Sequence, residues 1–145
     1  MTSYGISELL GRLESDNDYN KCMESLKSYI HKLKKSSFVD LLLFLIRTKA
    51  LDSPTVYNRA LMDRKLFSKL VSDRGYKPSK KMVCRLALAL HLDAKESKTF
   101  IKRAGFILTS GSIFDLTIRY CIENKIFDLY QVEALLEKQQ LTFFD

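Results

Sequence analysis

The sequence predicts an all-α protein, a compact multi-helix bundle built as a single domain of 145 residues. Three observations lead there. Apolar residues recur at spacings of three and four along most of the chain, which is the period of a helix face, while strict apolar–polar alternation is nearly absent. Side chains that open helices stand directly before those apolar runs, at Asp52, Asp63, Ser79, Ser112 and Asp128. Five glycines and two prolines leave few forced turns, which suits helices joined by short loops. A chain of this length buries a core without needing disulfides or a metal. No segment repeats at the period of a solenoid.

In chain order, Ile6, Leu9, Leu10 and Leu13 mark a short first helix, broken by Ser15-Asp16-Asn17-Asp18. Cys22, Leu26, Tyr29, Ile30 and Leu33 form one face of a second, with Lys32, Lys34 and Lys35 at its C-terminal end, where cations suit the helix dipole. Residues 38–46 are apolar nearly all round, so the spacing places this helix at the centre of the fold. Asp52-Ser53-Pro54 supplies a cap and then a proline in the first turn, where its missing N–H costs nothing; the helix it opens runs to about Leu61.

Asp63 caps the next helix, to residue 72, with Leu66, Phe67, Leu70 and Val71 turned inward and Lys65, Ser68, Lys69 and Ser72 outward. Residues 74–79 form a turn, and Ser79 caps a helix through Met82, Val83, Leu86, Leu90 and Leu92, whose Ala87 and Ala89 permit close packing. A helix over residues 97–104 stops at Gly105; another follows Ser112; the last follows Asp128 with Leu129, Val132, Leu135 and Leu136 inward. The closing Leu141-Thr142-Phe143-Phe144 is too apolar to stand in water and is expected to pack on something, together with Phe114 and Leu116.

The net charge of +7 is unevenly distributed. Residues 58–103 hold 13 basic and 4 acidic side chains, whereas residues 1–57 are nearly balanced and residues 104–145 are acidic. Between 64 and 85, eight basic side chains face a single acid, Asp73. Such a basic middle is the electrostatic footprint of a polyanion partner, although a solvated face kept for solubility looks the same. The longest apolar stretch, 41–46, is far too short to span a membrane, and the start lacks the basic-then-apolar pattern of a signal peptide. Cys22, Cys84 and Cys121 are odd in number and far apart, in helical apolar patterns, and read as buried thiols of a cytoplasmic protein.

Chemistry is missing where an enzyme would show it. No phosphate-loop, dinucleotide, zinc-protease, nucleophile-elbow or Cys-x-x-Cys spacing occurs, so no catalytic residue, metal ligand or cofactor is assigned. His31 and His91 stand on different helices away from carboxylate or cysteine clusters and read as structural. The function expected is binding without catalysis.

Phe67-Ser68-Lys69-Leu70, then Gly75, Pro78-Ser79 and Leu86-Ala87-Leu88-Ala89-Leu90, resemble the Xre/Cro-type helix-turn-helix domain over residues 38–92. Tyr57, residues 63–69, Lys102-Arg103-Ala104-Gly105-Phe106, Phe114-Asp115-Leu116, Arg119-Tyr120 and Ile126-Phe127-Asp128 resemble a bacterial subgroup of that family with a helical C-terminal tail. The resemblance covers about residues 38–140. It implies a five-helix core at 37–105, an N-terminal helical extension at 1–36 and a helical tail at 106–145.

The resemblance also implies a DNA-binding transcriptional regulator that places helix 64–72 in the major groove. Arg64, Lys65, Ser68 and Lys69 would then face base edges and phosphates. Ser53, at a helix N-terminus, would grip a phosphate, and Arg74, Lys77, Lys80 and Lys81 would lie along the flanking backbone. Duplex DNA is the leading partner, and a homodimer would read paired half-sites. Three positions depart from the family pattern: Tyr57 where a small residue is usual, and Leu61 and His91 where glycine is usual. Bulk there implies a wider angle between helices, or a fold kept for a protein partner, so a protein-interaction module remains the alternative.

Overall fold

The computed structural model describes residues 16–34, 37–73 and 75–145. Every regular element among them is a helix, eight in all, with no strand. The helix expected over residues 6–13 lies outside the described residues, as does Arg74. The chain divides into two units, residues 1–36 and residues 37–145.

In the first unit α1 spans Asp16–Lys34, with Asp16 and Asp18 in its opening turn, where negative charge suits the helix dipole. Its apolar residues Tyr19, Leu26, Tyr29 and Ile30 are exposed. Cys22 is exposed too, which corrects its reading as a buried thiol; helical spacing marks an apolar face but does not bury it.

The second unit holds α2 (Phe38–Thr48), α3 (Ser53–Arg59), α4 (Arg64–Ser72), α5 (Lys80–Ala89), α6 (Ala94–Arg103), α7 (Ile113–Glu123) and α8 (Leu129–Glu137). Each begins at a side chain that accepts a hydrogen bond from a backbone N–H of its own first turn. These caps are Ser37, Asp52, Asp63, Ser79, Asp93, Ser112 and Asp128, each worth about 1 kcal/mol. Asp93 and Glu96 bond each other's backbone reciprocally, which starts α6 three residues before the position the apolar spacing suggests.

The helix ends follow one rule. After α2, α3, α5, α6, α7 and α8 comes a residue in the left-handed region: Ala50, Leu61, His91, Gly105, Lys125 and Gln140. The residue after it donates its N–H five positions back, as in Leu51 to Ile46, Met62 to Tyr57 and Leu92 to Ala87, capping the helix and turning an apolar side chain inward. Only Gly105 among the six has no Cβ to object. α4 ends differently, on Asp73 in extended backbone, and so feeds a longer connection to Ser79.

The centre of this unit is α5, packed against α3, α6 and α8; its residues from Met82 to Ala89 are all buried. Ala87 and Ala89 are fully buried. This corrects the central place given to α2, whose Leu43 and Phe44 are 38% and 50% exposed while Phe38, Leu42, Leu45 and Ile46 face the core. An apolar run alone does not say which helix its neighbours surround. Cys84 and Cys121 are buried as expected, and burial pushes the Cys84 thiol up to about 12.

Candidate nucleic-acid interface

α4 is strongly amphipathic and lies in the basic middle. Phe67 and Leu70 are buried, while Arg64, Lys65, Ser68 and Lys69 are exposed, as the spacing predicts. Helical geometry sets those four within an arc of roughly 140° on the side away from the core. Asp63 accepts the N–H of Leu66 at 2.7 Å, which closes the first turn and fixes where Arg64 and Lys65 emerge. The ammonium of Lys69 lies 5.3 Å from the centre of the Tyr76 ring, which holds that end of the helix against the connection that follows.

α3 and α4 are joined by residues 60–63. Tyr57 is half-buried, its ring centroid 5.6 Å from that of Phe67, so the bulky residue fills space between these two helices. Leu61 takes φ +54°, the left-handed backbone that glycine would adopt more readily. Arg85 bonds the Leu61 carbonyl at 3.4 Å from the core side, and its guanidinium lies 5.2 Å from the Phe144 ring. Burial lowers the pKa of Arg85, while the nearby Asp145, Glu133 and Tyr76 act to raise it.

The remaining basic residues divide sharply. Lys77 is exposed. Lys80 bonds Asp115 at 2.7 Å, and that carboxylate is almost completely buried and also accepts the Thr109 N–H at 2.8 Å. Burial works to raise the Asp115 pKa, but the bonds from Lys80 and Thr109 and the Lys80 charge outweigh it and hold it below the ordinary aspartate value. Lys81 bonds the Phe144 carbonyl at 3.3 Å and sits 5.9 Å from the Phe114 ring. At α3, Ser53 is half-buried, and the Asp52 carboxylate takes the Thr55 N–H at 2.8 Å. Hydrogen bonding from the Thr55 side chain, and then from its backbone N–H, lowers the Asp52 pKa and puts a negative charge at the end of α3 where Ser53 was expected to meet a phosphate.

The fold thus keeps Arg64, Lys65, Ser68, Lys69 and Lys77 outward and ties Lys80, Lys81 and Arg85 inward. Sequence reading could not separate these sets, because Asp115 and Phe144 lie far along the chain from their basic partners. Among the described residues no cluster of side chains is suited to holding a metal ion. No helix among them is long and apolar enough to cross a membrane. Comparison with family models, curated proteins and solved structures finds no match to the chain.

Proposed function

We propose that the chain is a non-enzymatic, duplex-DNA-binding transcriptional regulator of the Xre/Cro helix-turn-helix kind, with α4 as the helix that enters the major groove. The observation that carries this reading is the exposed set Arg64, Lys65, Lys69 and Lys77, none of which makes an ion pair among the described residues. A solvated face kept only for solubility gains nothing from concentrating cations on one short helix and its exit. A polyanion partner does, because each phosphate neutralised releases condensed counterions. Two capped helices joined by a four-residue link with a left-handed residue, and an outward polar face on the second, also suit a reader of base edges. Lys80 and Lys81, committed to Asp115 and Phe144, fall outside the contact set.

Four phosphate contacts correspond to a slope of log affinity on log salt of about −3.6. Affinity for random duplex should then fall about 150-fold between roughly 50 and 200 mM salt, measured by fluorescence anisotropy. Lys77→Ala should flatten the slope by about one on every sequence, and Arg64→Ala should cost about 1–3 kcal/mol on a preferred site. No binding to any duplex at the lower salt would refute the proposal. A second reading, a protein-interaction module, is favoured by the exposed Leu43 and Phe44 of α2, apolar surface of the kind partners cover. It predicts no duplex affinity, and partner capture that Phe44→Ser abolishes.

A further inference from the structure

The ends of α3, α5 and α7 meet at an open pocket of about 670 Å3. The left-handed residues that end these helices, Leu61, His91 and Lys125, all line it. On one wall the rings of His91 and Phe127 stack, 4.6 Å between centroids and 11° from parallel. Tyr130 also lines the pocket and is 73% exposed, an aromatic surface that folding leaves in water.

The side chains that line the pocket carry a net positive charge. Arg59 and Lys125 bring two positive charges to it, and neither makes an ion pair among the described residues. One guanidinium nitrogen of Arg59 is bonded to the Ala89 carbonyl at 3.3 Å, which anchors the group and leaves its other donors. The single acid in the lining is Asp128, whose carboxylate accepts the Tyr130 N–H at 3.0 Å and so serves the first turn of α8. Burial, and then the charges of Arg59 and Lys49, hold His91 below its ordinary value, so near neutrality its ring is an uncharged stacking surface. The side-chain amides of Asn58 and Gln131 add donors and acceptors.

We propose that this pocket binds a free nucleotide, its base stacked on the aromatic wall and its phosphate met by Arg59 and Lys125. The volume lies within the range of small-molecule sites. Aromatic side chains hold any base through its π-face, and guanidinium groups pair with phosphate in matching geometry. A nucleotide is the ligand class that uses the aromatic wall, the two cations and the amides together. None of the basic residues assigned to duplex DNA belongs to this pocket, so the two proposals stand or fall separately.

The test is calorimetric titration of the full chain with adenosine 5′-monophosphate, adenosine and inorganic phosphate. The nucleotide should saturate with a Kd below about 100 μM, and the two fragments should each bind at least about tenfold more weakly. Lys125→Gly suits the left-handed backbone and removes one charge, so it should weaken nucleotide binding about tenfold without lowering Tm. Phe127→Leu keeps an apolar side chain but removes the stacked ring, and should weaken binding to a similar degree. No saturation by the nucleotide at millimolar concentration would overturn the proposal. Equal affinity for nucleotide and phosphate, or unchanged affinity in both variants, would do so as well.

Discussion

Phe143 and Phe144 are adjacent, identical in chemistry and opposite in environment. Phe143 is fully buried, with the Phe114 ring edge-on at 6.0 Å, and its N–H bonds Glu133 at 2.8 Å. Phe144 is 42% exposed, and its ring faces the Arg85 guanidinium. Truncating Phe143 to Ala forfeits its transfer free energy and leaves a cavity that the surrounding helices fill only partly, a loss of about 3–5 kcal/mol. A unit spanning residues 37–145 melts with an entropy near 0.23 kcal/mol/K, so this loss lowers Tm by roughly 13–22 °C. Phe144→Ala removes a half-solvated ring and one cation–π contact, about 1 kcal/mol, or near 4 °C. Circular-dichroism melts, checked by urea unfolding with an unchanged m-value, measure both. Losses within about 1 kcal/mol of each other, or a Phe143→Ala drop under about 5 °C, would refute the placement of the tail in the core.

Two further substitutions probe the helix end and the buried ion pair. Ala50→Gly should raise Tm by about 4 °C, since Ala50 sits exposed at φ +54° and glycine takes that backbone without the cost of a Cβ, about 1 kcal/mol; a lower Tm would contradict the left-handed end of α2. Lys80→Met should cost about 3 kcal/mol by leaving the Asp115 carboxylate buried without its cation, while leaving the salt slope of any DNA binding unchanged. Because the Asp115 pKa is lower folded than unfolded, its contribution is present above the unfolded value near 4 and disappears as pH falls through the folded one. Asp115→Asn should therefore melt at lower temperature near neutrality and lose that part of the acid dependence, read from Tm against pH.

The inward faces of α4 and α5 were legible because helical spacing and capping pointed the same way: Asp63 before Phe67 and Leu70, Ser79 before Met82, Val83 and Leu86. The position of α2 was not. Leu43 and Phe44 continue an apolar run, and local sequence carries no record of which side of a helix its neighbours cover. Nor was the fate of the basic middle. Lys77, Lys80 and Lys81 read alike at the level of charge, yet the last two are held by Asp115 and by the Phe144 carbonyl, 35 and 63 positions away.

Leu61 and His91 show why a glycine position is a weaker constraint than it looks. At both, the chain takes φ +54° with a full side chain, at a cost of about 1 kcal/mol or more each. At each the following residue, Met62 or Leu92, buries its side chain and donates its N–H back into the preceding helix, and the next aspartate caps the helix after it. Burying Met62 or Leu92 contributes about 1.5–3 kcal/mol and the cap about 1 more, which exceeds the strain. At three of the six left-handed helix ends the pair that follows is an apolar residue and then aspartate, Leu51-Asp52, Met62-Asp63 and Leu92-Asp93. Side chains that glycine would have lacked, those of Leu61, His91 and Lys125, are then left to line the pocket where these ends converge. Keeping a side chain at a position that favours glycine costs stability, which the neighbouring burial and cap offset here, and the nucleotide site proposed above would give those side chains a use.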